Sequence, residues 1–149
     1  MNKNKVNNIF CIPLSDSNEN HRSYIGNKGY NLFELNNLGC NVPDCFFITT
    51  HAFNRFIEIN NIDSDDYSPK NNYKIDSILK DEIKIYFESV FRSSKQNKSF
   101  AVRSSSIGED SNDLSFAGIY DTILNVKEFE PLCNAIQSVW RSYWNIEAV

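Results

Sequence analysis

The chain has 149 residues, 41% hydrophobic and 23% charged, the composition of one globular domain with an ordinary core rather than a disordered chain. A net charge of −4 gives no bulk attraction to nucleic acid or an anionic membrane, so any anion site must be local. Cys11, Cys40, Cys45 and Cys133 form no C-x-x-C pair and His21 and His51 lie at no finger spacing, which argues against structural zinc and for reduced, mostly buried thiols of a cytoplasmic protein; nothing has the length of a membrane span or the pattern of a secretory leader.

In chain order, the apolar run Ile9-Phe10-Cys11-Ile12 reads as a first or edge strand that ends at Pro13, which cannot continue a ladder. Ser15 to Asn20 is turn material. Leu32, Phe33, Leu35 and Leu38 recur at helical spacing, predicting a helix over Asn27 to Leu38 with Gly39 as its stop. Cys45-Phe46-Phe47-Ile48 has strand composition, and Thr49 or Thr50 can cap a helix with the face Ala52, Phe53, Phe56 and Ile57. Asn60 to Asn72 reads as a loop. A long helix follows from Tyr73 to Arg92, striped by Ile75, Ile78, Leu79, Ile83, Tyr86, Phe87, Val90 and Phe91.

After a polar break at Ser93 to Lys98 come two strand-like segments within Phe100 to Val126, joined by a polar loop. The last helix puts Leu132, Ala135, Ile136, Val139, Trp140 and Tyr143 on one side, with Pro131 in its first turn. Strand and helix units followed by a hairpin-like pair indicate a mixed α/β or α+β fold, whose sheet order cannot be read from the pattern.

Two elements carry cations suited to a polyphosphate such as ATP. Gly26-Asn27-Lys28-Gly29 offers permissive backbone, a point charge and the positive end of the following helix, although such a turn also occurs as a plain solvated loop. In Phe100-Ala101-Val102-Arg103, alternation places Ala101 and Arg103 on one face and Phe100 and Val102 on the other. Arg103 is then either a phosphate fork or a surface partner of Glu109, Asp110 or Asp113. Gly118, at the start of the second strand, leaves room for close approach, and Thr122 shares its face roughly 13 Å along a regular strand. Alternatively Gly118 is a bulge and Thr122 an ordinary strand residue. Ser104 to Ala117 suits a lid over phosphates as well as it suits an exposed loop, and its acidic residues are not assigned as magnesium ligands.

Three stretches in this order resemble the N-terminal nucleotide-binding domain of the phosphoenolpyruvate synthase, pyruvate phosphate dikinase and rifampicin phosphotransferase family. They are Gly26-Asn27-Lys28-Gly29-Tyr30-Asn31-Leu32 with Val42-Pro43 downstream, Ala101-Val102-Arg103-Ser104-Ser105, and Ser115-Phe116-Ala117-Gly118 with Asp121-Thr122-Ile123-Leu124-Asn125-Val126. The closing Val139-Trp140-Arg141-Ser142 extends the likeness over nearly the whole chain. The resemblance implies that residues 1–149 are an incomplete N-terminal lobe of an ATP-grasp type domain, with Lys28, Arg103, Gly118 and Thr122 binding ATP and no catalytic or metal-ligating residue of their own. Magnesium ligands, a second lobe and a phosphohistidine domain would lie outside this chain, since His21 and His51 fit no phosphohistidine motif.

The activity so implied passes a phosphoryl group from ATP through an enzyme histidine to an acceptor such as pyruvate or a rifampicin-like antibiotic. The competing expectation is a non-catalytic remnant or interaction module that keeps the fold and binds nucleotide weakly or not at all. Asn27, Ile107 and Ile119-Tyr120 depart from the family pattern; the first is tolerable to the backbone, whereas the others remove a hydroxyl and change side chains beside the nucleotide.

Overall fold

The computed structural model describes residues 9–63, 72–92, 99–105 and 122–145, and these form four helices and two small antiparallel sheets, a mixed α+β arrangement. Strand β1 (Cys11–Pro13) pairs with β2 (Phe46–Ile48), Cys11 opposite Ile48 and Pro13 opposite Phe46. Successive residues of a strand face opposite ways, and both faces of this sheet are used. Cys11, Phe46 and Ile48 join the main core, whereas Ile12 and Phe47 join Ile25 in a smaller cluster beneath helix α1 (Arg22–Asn37).

Helix α1 starts earlier than the spacing of its leucines indicates, because Arg22 to Ile25 forms a first turn that a break at Gly26 separates from the rest. Its end is as expected. Gly39 takes φ 77°, its N–H reaches the Asn36 carbonyl and that of Cys40 reaches the Leu35 carbonyl, both at 3.0 Å, a Schellman closure.

Helix α2 (Thr50–Ile59) buries Ala52 and Phe56. Thr49 holds the N-cap position by its backbone, but its hydroxyl does not cap; it donates to the Ile9 carbonyl at 2.6 Å and so ties the helix start to β1. Helix α3 (Ser77–Arg92) begins four residues later than the sequence predicts. Asn60 clips Lys74 through both its amide groups at 2.9 Å, and Asp76 accepts the Leu79 N–H at 3.2 Å, so the helix is capped at Asp76 and Tyr73 to Ile75 stays outside it. The stripe holds at Leu79, Ile83 and Phe87, which are buried, but Ile78 faces outward.

Glu82, from the middle of α3, accepts the N–H groups of Phe10 and Cys11 at 3.1 and 2.8 Å, fixing β1 on the helix. Burial first, and the charge of Glu82 second, push the Cys11 thiol far above its ordinary value. All four cysteines are free, Cys11 and Cys133 buried, Cys45 half-buried and Cys40 exposed.

Strands β3 (Phe100–Arg103) and β4 (Thr122–Val126) form the second hairpin-like pair, backed by helix α4 (Phe129–Ser142). Phe87 links the layers, its ring 5.2 Å from Phe100 and 5.8 Å from Phe129. On α4 the predicted face is buried at Leu132, Ala135, Ile136 and Val139, joined by Cys133. Tyr143 is the exception: it is exposed, and Trp144 turns inward from a closing 3₁₀ turn to meet Phe53 at 5.6 Å. Among the described residues no helix is long and apolar enough to cross a membrane.

Candidate functional site

The Gly26-Asn27-Lys28-Gly29 element sits where α1 is interrupted. Gly26 has φ 70° and ψ 175°, a conformation reserved almost wholly for glycine, and helical geometry resumes at Asn27. Asn27 therefore needs no left-handed tolerance. Lys28 is half-buried, one residue into the renewed helix, at the end where the backbone dipole is positive. Gly29 lies over Phe47, whose ring carbon would stand 3.1 Å from an added Cβ, so α1 is seated directly on β2.

The second cationic element comes against the first. Ser105, two residues beyond Arg103, accepts the Gly29 N–H through its hydroxyl at 2.9 Å. Its backbone carbonyl fills the space that a Cβ at Gly26 would need, and its Oγ would be 2.6 Å from that atom. Segments 76 residues apart are thus in direct contact.

Within the β3–β4 pair Arg103 stands opposite Thr122 in register, which puts their Cα atoms about 5 Å apart. Both side chains are exposed, and the alternation expected for β3 is observed, with Phe100 and Val102 turned toward the core and Ala101 and Arg103 away. A bulge lies one step further along. Between the Phe100–Val126 and Val102–Ile123 pairs, Ala101 alone faces Leu124 and Asn125, and Asn125 takes φ 61°. The extra residue lets Ile123 and Val126 both turn inward while Thr122 and Leu124 share the outer side with Arg103.

The fold therefore places three of the four sequence-derived candidates, Lys28, Arg103 and Thr122, on segments that touch or pair. Gly118, like Ile107, Ile119, Tyr120, the acidic partners considered for Arg103 and most of the polar loop, lies outside the described residues. Ser105 is the contributor that sequence reasoning did not single out; its only signal was its place in Val-Arg-Ser-Ser. The histidines are elsewhere in role. His21 closes a capping box with Asn18, accepting its N–H at 3.3 Å, and the ring of His51 lies tilted against Tyr24, centroids 4.9 Å apart. Among the described residues no three His, Cys, Asp or Glu side chains converge to hold a metal ion.

A family model described as "Pyruvate phosphate dikinase, AMP/ATP-binding domain" matches residues 22–78 and 71–149. The chain is 37% identical over 121 residues to the uncharacterized phosphotransferase YvkC of Bacillus subtilis, a match covering 80% of this chain and 14% of that protein. It is 30% identical to phosphoenolpyruvate synthase of Escherichia coli, covering 84% of this chain and 19% of the relative. It is 28% identical to rifampicin phosphotransferase of a Streptomyces species, covering 93% and 18% respectively. The chain thus spans less than a fifth of the length of these relatives.

Proposed function

The chain belongs to the pyruvate phosphate dikinase AMP/ATP-binding domain family, and on that premise we propose that it is the ATP-binding lobe of an ATP-dependent phosphotransferase. The observation that carries this is the contact of Ser105 with Gly26 and Gly29, by which the lysine element and the arginine strand meet. Lys28 supplies a compact charge beside a helix N-terminus, Arg103 a planar fork, and Thr122 a hydroxyl opposite it. Together they would neutralise and orient a triphosphate, the part of phosphoryl transfer in which a protein has most to contribute.

Magnesium does not fit the described residues as a protein-held ion. It would accompany the nucleotide, bound by phosphate oxygens and water and by carboxylates beyond this chain. The acceptor, of the kind that pyruvate or a rifampicin-like antibiotic represents, and the histidine that relays the phosphoryl group are likewise assigned to partner domains, in cis or in trans. Free thiols throughout suit a cytoplasmic setting.

Calorimetric titration of ATP into the 149-residue chain, and into its Lys28→Ala and Arg103→Ala variants, tests the assignment. Each variant is expected to bind ATP roughly tenfold or more weakly, the effect of deleting a charged hydrogen-bonding group. Unchanged affinity in both would remove the site and leave an interaction module that keeps the fold.

A further inference from the structure

We infer that Ser105 is a positioning residue for the phosphate-binding cations, acting as a helix cap supplied from another part of the chain. The inference rests on the nucleotide reading above and adds to it a residue for which no role has been assigned.

The break at Gly26 makes Asn27 to Asn37 a new helix, whose first N–H groups have no partner within it. In most helices a serine, threonine, asparagine or aspartate at the N-cap position accepts the N–H of the second or third helical residue. Here that position is Gly26, which has no side chain and could not have one: its φ of 70° is strained for other residues and Ser105 fills the space. The third helical residue is Gly29. Its N–H is taken by the Ser105 hydroxyl at 2.9 Å, so Ser105 does from a distance of 76 residues what the local sequence cannot.

This matters because of what lies on either side. Lys28 immediately precedes the capped N–H, and Arg103 is two residues before the capping hydroxyl, on a strand that Thr122 holds in register. One hydrogen bond thus fixes the lysine element relative to the arginine strand. Without it the two cations are no longer pre-aligned on one polyphosphate, and the alignment must be made at the expense of binding.

The test is a double-mutant cycle read with two nucleotides. Ser105→Ala is expected to weaken ATP binding roughly five- to tenfold while leaving AMP binding unchanged, because AMP has no β- or γ-phosphate to span the cations. In the Ser105→Ala background the penalty of Lys28→Ala should shrink by a similar factor. Should Ser105→Ala fold poorly, Ser105→Cys gives the same comparison with a weak acceptor of nearly the same shape, and Ser105→Thr, which keeps the hydroxyl, should recover most of the affinity. An ATP affinity untouched by Ser105→Ala, or ATP and AMP weakening in parallel with an undiminished Lys28→Ala penalty, would overturn the inference. The two failures are separable: if Lys28→Ala and Arg103→Ala have no effect in the otherwise unaltered chain, the nucleotide reading falls and this inference with it. If they do and Ser105→Ala does not, only the positioning role falls.

Discussion

Gly26 is where residue chemistry constrains the molecule most tightly. Its backbone conformation is available to glycine almost alone, and the carbonyl of Ser105 stands where a side chain would begin. Gly26→Ala is therefore expected to cost about 3 kcal/mol or more, combining backbone strain with an overpacked contact against main chain that cannot rotate away. Urea unfolding measures this, and a midpoint unchanged from that of the parent chain would show that the contact is not as close as described. The Gly26-Asn27-Lys28-Gly29 run announces a special turn, but the sequence does not tell which glycine bears the unusual angle or that its neighbour is a serine far along the chain. Thr49 illustrates the same limit. Its preference for a cap position is legible, yet its hydroxyl donates to the carbonyl of Ile9, just ahead of β1, which packs beside it and engages the hydroxyl in place of the local N–H groups.

Among the elements, helix periodicity was legible and helix starts were less so. The buried stripe of α3 follows from the spacing of Leu79, Ile83 and Phe87. Its start at Ser77 depends on side chains of polar residues that the apolar pattern passes over: Asn60 bracketing Lys74, and Asp76 capping the helix while pairing with Arg55 of α2. That pair has a consequence for pH. Burial alone would raise the Asp76 carboxyl, but the Arg55 hydrogen bonds and the Leu79 N–H outweigh burial and hold it below its ordinary value. The hydrogen bonds that Arg55 donates to Asp76 in turn raise its guanidinium, which stays charged. The pair accordingly stabilises the fold at neutral pH, and its contribution disappears as pH falls through the lowered carboxyl value. Asp76→Asn, which keeps a capping oxygen and removes the charge, should lose about 1 kcal/mol at neutral pH and show a smaller loss of stability than the parent on acidification below about pH 4. Denaturant midpoints at the two pH values decide it; equal acid sensitivity in both proteins would mean that the pair carries no part of the pH dependence.

For the molecule as a whole, mixed α+β architecture and family membership were visible in sequence, because motif order survives when sheet order cannot be read. What could not be read was proximity. The segments that carry Lys28 and Arg103 are joined by long-range packing, α1 on Phe47 and Ser105 on Gly26 and Gly29, and no local pattern encodes those contacts. The outer side of the β3–β4 pair carries Arg103 and Thr122 next to Ala101 and a Leu124 that is 63% exposed, on a chain that spans less than a fifth of its relatives' length. In the proposed function this is the side on which the nucleotide is held.

Amide chemical-shift mapping during an ATP titration tests the convergence of the two cationic elements most directly. Gly26 to Gly29, Arg103 to Ser105 and Thr122 should shift together along one binding curve, with Cys40 and the Asn60–Lys74 clip unmoved. Saturation with only one of the two cationic segments responding, or with neither, would contradict a single triphosphate site built from both.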